Sequence, residues 1–170
     1  MQWSECNIWH TDVLKAIRAV HPVAVIAVSE AFNWGCCGIT NTEWVAGFKK
    51  LFVQATLGSP STLRILMGTS PQFGTPIPMC LASHPDPQSC DQSDRKSSTY
   101  GKFLTRDLQV AKASSAKSIP VQSWLCYRGT CSPIVGKYLV YVDLDHMSIA
   151  YSEFLSQVVT NAVVKLVKSH

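Results

Sequence analysis

The sequence has few charged residues. Only 15% of its 170 residues are Asp, Glu, Lys or Arg, and the formal net charge is +4. The Lys and Arg residues are scattered along the chain rather than clustered, so the sequence lacks the basic stripe that is typical of nucleic-acid-binding proteins. We therefore expect no nucleic-acid partner.

Long apolar runs are also absent. The longest is the segment VAVIAV at 23–28, far short of the roughly 18 residues that a membrane-spanning helix needs. The first ten residues, MQWSECNIWH, lack the basic start and apolar stretch of a secretory signal peptide. If the chain is made from Met1 as written, we expect it to stay in the cytoplasm with reduced thiols.

Cysteine, in contrast, is abundant, with seven residues. Cys126 and Cys131 bracket a tight loop, and Cys80 and Cys90 bracket a proline-rich one. Two local disulfides fit an oxidising compartment, whereas the alternative is buried, reduced cysteines in a cytosolic protein. Because the total is odd, at least one cysteine lacks a partner within the chain. The cysteines outside the two loops are Cys6, Cys36 and Cys37.

A metal site is the other use that cysteines could have. Cys80, His84 and Cys90 offer zinc ligands, but their spacing matches no common zinc-binding pattern. We expect no metal and no cofactor.

Helical and strand patterns alternate along the chain, which predicts a three-layer α/β/α sandwich with a parallel sheet, as one domain over residues 1–170. Thr40 and Glu43 form a capping-box pattern ahead of the second helix, and Ser148 is a candidate N-cap of the last. A proline-rich loop is expected from residue 69 to about 92. The predicted helices cover 11–20, 41–57, 97–115 and 149–168, and the predicted strands cover 23–29, 63–68, 118–123 and 138–143.

The predicted sheet lacks a strand. The segment at 23–28 is apolar on both faces, as expected of an interior strand of a parallel sheet. In a doubly wound sheet the first strand lies in the middle, yet this chain begins with a helix. Either the sheet is unusual or, as we expect, its first strand is missing. In the second case 23–29 exposes an apolar edge, which favours aggregation.

The segment YVDLDHMS at 141–148 contains the clearest candidate site. Asp143 and His146 are three residues apart, so the carboxylate can hold one ring nitrogen while the other faces a substrate. Asp145 is adjacent to His146, and because neighbouring side chains diverge we expect it to be the weaker partner. The alternative is that Asp143 only caps the loop and that His146 is a surface residue.

Several segments together resemble one family. They are CNIWHTDVLKAIRAVHPVAVIAVS, MGTSPQFGTPIPMCLASHPDPQSC and WLCYRGTCSPIVGKYLVYVDLDHMSIAYSEFL, in this order. From Cys6 to its end the chain resembles the C-terminal SGNH domain of membrane acyltransferase-3 proteins, which O-acetylate cell-surface glycans and glycolipids. The resemblance implies a flavodoxin-like SGNH hydrolase sheet on the outer face of the membrane.

The resemblance also implies a Ser, His and Asp site, with Asp143 as the orienting acid and His146 as the general base. The family's nucleophile is the serine of a Gly-Asp-Ser motif after the first strand, and this motif occurs nowhere in the chain. The implied partners are a glycan or glycolipid acceptor and the acyl-donating membrane domain, which is absent from this chain. We therefore expect the chain alone to have no acyl transfer or esterase activity.

Other residues are poor substitutes for the missing parts. Ser70 follows a strand and a glycine, but Pro71 comes next and no helix is expected to follow. In the wider superfamily a Gly-x-Asn segment supplies oxyanion donors, and here Ser29 and Ala31 stand at those places. Asn33 could reach the site, although a loop-capping role suits it better. The oxyanion donors are thus unassigned.

Three hypotheses follow. The chain is a fragment of an extracytoplasmic O-acyltransferase domain whose start is truncated, or a glycan-binding module whose cleft performs no chemistry. The third hypothesis is a disulfide-stapled interaction protein in which the D-x-x-H pattern arose by chance.

Overall fold

The computed structural model describes residues 4–29, 38–95 and 99–170. The helices are α1 (Ser4–Val20), α2 (Asn41–Ala55), α3 (Ile77–Ser83), α4 (Thr99–Ser114), α5 (Gln122–Leu125) and α6 (Ile149–Lys168). The strands are β1 (Ala24–Val28), β2 (Leu63–Met67), β3 (Gln92–Ser93), β4 (Lys117–Ile119), β5 (Cys126–Tyr127), β6 (Thr130–Cys131), β7 (Ile134–Val135) and β8 (Tyr138–Leu139). Within these residues, no helix combines the length and the apolar character that crossing a membrane requires.

The main sheet is parallel and has the order β1-β2-β4. Ala24 faces Leu63 at the start of the β1–β2 ladder, and Val28 faces Met67 at its end. The main-chain N–H of Gly68 donates to the carbonyl of Ile119 at 3.0 Å, which extends the β2–β4 pairing by one residue. The parallel sheet expected from the apolar segments is confirmed.

Helices cover both faces of this sheet. On one face, Phe52 of α2 and Val110 of α4 are fully buried against Leu66 of β2. On the other face, α6 packs its apolar side on the opposite side chains of the strands. The three-layer α/β/α architecture predicted from the sequence is therefore confirmed. The residues of the second face are Leu63, Ile65, Ile119, Ala162, Val163, Leu166 and Val167.

Two helices begin where their capping residues predict. Thr40 accepts a hydrogen bond from the N–H of Glu43, whose carboxylate accepts one from the N–H of Thr40, so the capping box is complete. The Ser148 hydroxyl accepts from the N–H of Tyr151 at the start of α6. Each cap satisfies main-chain donors that have no partner inside the helix.

Three predicted segments differ from the structure. The strand predicted over 118–123 ends at Ile119, and the helix α5 begins at Gln122. The proline-rich loop contains the helix α3, which Pro76 precedes as N-cap. Residues 138–143 do not join the parallel sheet. Instead β7 and β8 form a hairpin around Gly136, whose φ of 58° suits a residue without a Cβ.

Strand β1 lies at an edge of the main sheet. Among the described residues it pairs with β2 alone. Its alternate residues Ile26 and Val28 are 42% and 63% exposed, so an apolar strip accompanies the open main-chain edge. This is the apolar edge predicted from the segment at 23–29.

Both predicted disulfides are present. Cys80 is bonded to Cys90, and Cys126 is bonded to Cys131 across the β5–β6 pairing. His84 lies beside the first disulfide, with its Nδ1 2.9 Å from the carbonyl oxygen of Cys80. Because both thiols of that group form a disulfide, the group offers no thiolate to zinc.

The other cysteines are divided between the described and the undescribed residues. Among the described residues, Cys6 is a free, exposed thiol. Cys36 and Cys37 lie outside the described residues.

Candidate functional site

Residues 143–146 form a tight turn between β8 and α6, held by the loop that follows β2. The N–H of Phe73 donates to the carbonyl of Leu144 at 2.9 Å, and the N–H of Ile77 donates to the carbonyl of Asp143 at 3.1 Å. The buried ring of Tyr141 packs on Phe73, with ring centroids 4.9 Å apart. The turn is thus fixed to the core at its entrance and along its backbone.

Asp143 organises this turn. Its Oδ1 accepts the main-chain N–H groups of Asp145 at 3.0 Å and of His146 at 2.8 Å. Those N–H groups, followed by the contact with the His146 ring, lower the pKa of the Asp143 carboxyl from 3.8 to about 2. Hydrogen bonds to a carboxylate favour its charged form, so Asp143 is ionised at neutral pH.

The His146 ring lies against this carboxylate. Nδ1 is 2.7 Å from Oδ2 of Asp143, while 78% of the His146 side chain is exposed. An ionised carboxylate can only accept, so the proton of the neutral ring belongs on Nδ1 and the other nitrogen, Nε2, is the one that can take up a proton. This geometry suits a general base at the protein surface.

Asp145 does not diverge from the ring as the sequence analysis expected. Its Oδ1 lies 3.2 Å from Nδ1 of His146, and only 16% of its side chain is exposed. The two side chains converge because Asp143 accepts the N–H groups of both Asp145 and His146 at one oxygen. The resulting turn brings the side chains of Asp145 and His146 to the same side. Asp145 is nonetheless the weaker partner, since its contact is longer than the 2.7 Å contact of Asp143.

Ser70 lies in the loop after β2 and is half-buried between the buried residues Thr69 and Pro71. A helix does follow it, contrary to expectation, but α3 begins only at Ile77. Ser70 therefore lacks the immediate strand-to-helix turn that presents the nucleophilic serine in α/β-hydrolases.

Ser29 is not placed to stabilise an oxyanion. Its main-chain N–H donates to the carbonyl of Met67 at 2.9 Å, and its hydroxyl donates to Oδ1 of Asp107 at 2.6 Å. Both of its donors are therefore committed to the fold. Ala31 and Asn33, the other two candidates, lie outside the described residues.

A buried polar cluster, which the sequence analysis missed, joins the ends of β1 and β2 to α4. It consists of Ser29, Thr69 and Asp107, which are 0%, 0% and 3% exposed. Oδ2 of Asp107 accepts the main-chain N–H of Thr69 at 2.7 Å, and the Tyr100 hydroxyl donates to the carbonyl of Thr69. Burial raises the pKa of the Asp107 carboxyl, against the lowering effect of its hydrogen bonds.

Comparisons with known proteins agree with this architecture. The family described as the SGNH domain fused to AT3 domains matches residues 4–161. No curated protein matches the chain.

The chain is similar in fold to a solved structure, the periplasmic domain of a lipopolysaccharide acetyltransferase from Salmonella ser. Paratyphi A. It superposes with a TM-score of 0.67 at 18% sequence identity. The match covers 91% of this chain and 61% of that domain, so the chain spans about three fifths of its length. At this identity the likeness concerns the fold.

Proposed function

The chain belongs to the SGNH domains that are fused to AT3 domains, and from that premise we propose that it carries the acid and base of an acyltransferase or esterase site. Asp143 is the orienting acid and His146 is the general base. The observation that supports this assignment is the 2.7 Å contact between Oδ2 of Asp143 and Nδ1 of an exposed imidazole. The alternative, a loop-capping Asp beside an idle surface His, does not require that contact.

In the proposed chemistry, His146 takes a proton at Nε2 from the attacking hydroxyl group and returns it to the departing group. Asp143 keeps the ring in the tautomer with a proton on Nδ1 and stabilises the imidazolium that forms. Because the pKa of Asp143 is about 2, the carboxylate stays ionised while the ring cycles between its two states.

We place the nucleophile outside these 170 residues, since the sequence contains no Gly-Asp-Ser. Among the described residues β1 pairs with β2 alone, and this supports the placement. Its other main-chain edge can pair with one more parallel strand, which would lie beside the exposed Ile26 and Val28. A strand docked there, from the same polypeptide or from another, would end at the same sheet edge as Ser29 and Thr69. The carboxyl ends of parallel strands are where ligands gather in such folds.

The proposed acceptor is a cell-surface glycan or glycolipid, and the acyl group is an acetyl group delivered by a membrane acyltransferase domain. The solved structure of similar fold, an acetyltransferase domain for lipopolysaccharide, supports a glycolipid acceptor. The disulfides Cys80–Cys90 and Cys126–Cys131 support an extracytoplasmic compartment, because such bonds persist in oxidising surroundings.

Two experiments test the proposed function. In cells, deletion of the gene should remove acetate esters from surface glycolipid, and the wild-type gene should restore them. Unchanged acetylation in the deletion strain would contradict the proposal.

In vitro, the purified chain of 170 residues should not hydrolyse p-nitrophenyl acetate above the rate in buffer. Turnover that disappears in the His146→Ala variant would show that the chain needs no external nucleophile.

A further inference from the structure

The Asp145 carboxylate contacts the His146 ring, although Asp143 alone would be enough to orient that ring. Its Oδ1 lies 3.2 Å from Nδ1 of His146, on the same nitrogen that Asp143 holds at 2.7 Å. We propose that Asp145 is a second positioning residue, which keeps the proton on Nδ1 together with Asp143 and retains it there when Asp143 is neutralised. The inference rests on the proposed function, because it adds a residue to the same site.

Asp145 is anchored independently of the ring. Its Oδ2 accepts from Nε2 of Gln72 at 3.4 Å, and its main-chain N–H donates to Oδ1 of Asp143 at 3.0 Å. Only 16% of its side chain is exposed, against 78% for His146. The carboxylate is therefore held in place while the ring remains accessible, as expected of a residue that orients a base.

The two acids differ in how they are held. Asp143 accepts two main-chain N–H groups, which lower its pKa to about 2. Asp145 is held instead by the uncharged side chain of Gln72, from the loop that follows β2. That loop otherwise meets the turn through the main-chain N–H groups of Phe73 and Ile77, and these contacts add no charge.

A second negative charge has two consequences for the ring. It stabilises the imidazolium, since a nearby opposite charge favours the charged form. The Oδ1 of Asp145 also lies near Nδ1, so it can accept the proton there when Asp143 no longer does. The hydrogen bond at one ring nitrogen decides which nitrogen of the neutral ring carries the proton. Loss of Asp143 alone should therefore leave the tautomer unchanged.

NMR of the chain labelled with ¹⁵N-histidine can measure both consequences without a substrate. The chain contains five histidines, and the His146→Gln variant identifies the signals of interest. The compared variants are Asp143→Asn, Asp145→Asn and the double variant, and Asp12→Asn removes an exposed carboxylate on α1 as a matched control. Circular dichroism spectra and melting temperatures check that each variant is folded.

We expect Asp145→Asn to lower the titration midpoint of the His146 ring by about half a pH unit, as for one charge near a solvated group. The Asp143→Asn variant should keep the proton of the neutral ring on Nδ1, and the double variant should move it largely to Nε2. Gln72→Met, which removes the anchor of Asp145 without changing charge, should give a smaller shift in the same direction as Asp145→Asn.

Either of two results would overturn the role of Asp145. One is a midpoint in Asp145→Asn equal to that of Asp12→Asn, and the other is a tautomer change in Asp143→Asn as complete as in the double variant. Neither result depends on acyl transfer. Loss of the proposed function would therefore leave this measurement meaningful, and a failed measurement would leave Asp143 and His146 in their proposed roles.

Discussion

Asp107 and Asp143 are carboxylates with similar partners and opposite pKa shifts. Each accepts main-chain N–H and side-chain donors. Burial raises the pKa of Asp107, whereas the N–H groups of Asp145 and His146 lower the pKa of Asp143 to about 2. Because both accept several hydrogen bonds, the difference comes from solvent, which reaches Asp143 and is excluded from Asp107.

The comparison distinguishes a carboxylate that stabilises the fold from one that orients a titratable ring. Asp107 connects α4 to the residues that follow β1 and β2, and it is 3% exposed. Asp143 lies on a surface turn beside a ring that is 78% exposed. Substitutions at Asp107 should therefore change the stability of the fold, and substitutions around Asp143 should change the chemistry of the ring.

The largest effect is expected from Asp107→Ala. It leaves the Ser29 hydroxyl and the Thr69 N–H buried without their acceptor, which should cost about 3 kcal/mol in the free energy of unfolding. Urea denaturation measures this loss. The matched control is Asp12→Ala on the exposed face of α1, and a loss no larger than that of the control would contradict the structural role of Asp107.

Ser29→Ala tests one hydrogen bond of the same buried cluster. It removes the 2.6 Å hydrogen bond to Asp107 but keeps the main-chain bond to Met67, so a loss of about 1.5 kcal/mol is expected in urea denaturation. Ser123→Ala, at an exposed position, serves as the control. If Ser29→Ala unfolds at the same urea concentration as the wild type, the hydroxyl contributes nothing to the fold.

The pH dependence of the free energy of unfolding should distinguish Asp107 from Asp143. Since the pKa of Asp107 is raised in the folded protein, the folded state binds more protons than the unfolded state just above the ordinary carboxyl pKa. Stability from this group therefore falls as the pH rises from about 4 through the raised pKa. The stability advantage of the wild type over Asp107→Asn should shrink as the pH rises above about 4. An advantage that grows with pH would contradict the raised pKa.

The pH dependence of stability that Asp143 contributes should be the smallest of these effects, and it should have the opposite sign to that of Asp107. Its pKa is lowered from 3.8 to about 2, so its contribution is present above the ordinary value and is lost as the pH falls through that interval. Melting temperatures measured across this acid range should fall less steeply in Asp143→Asn than in the wild type. Equal slopes would mean that the N–H groups do not stabilise the carboxylate.

Much of the scaffold can be predicted from local patterns. The capping box at Thr40 and the cap at Ser148 mark helix starts because their side chains satisfy main-chain donors nearby in the sequence. The apolar segments at 23–28 and 63–68 predict β1 and β2, because strands inside a sheet that helices cover are apolar on both faces. The contact of Asp143 with His146 follows from their spacing in one turn.

The remaining features depend on tertiary contacts. On α4 the apolar Leu108 is 63% exposed, whereas its charged neighbour Asp107 is buried. Helical spacing places position 107 on the same buried face of α4 as Tyr100 and Ala111. A carboxylate on that face is stable only because Ser29 and Thr69, which lie far away in the sequence, donate hydrogen bonds to it. The closeness of the Asp145 carboxylate to the ring is not evident from the sequence, because the turn geometry depends on where the Asp143 carboxylate points.

The most direct test of the central claim is the acetyl content of surface glycolipid in cells whose gene carries His146→Gln, with His10→Gln on α1 as the matched control. Both variants should be present at wild-type levels, because His10 is exposed and most of the His146 side chain is exposed. The account predicts that His146→Gln abolishes acetylation and that His10→Gln preserves it. Wild-type acetylation in the His146→Gln strain would contradict the account.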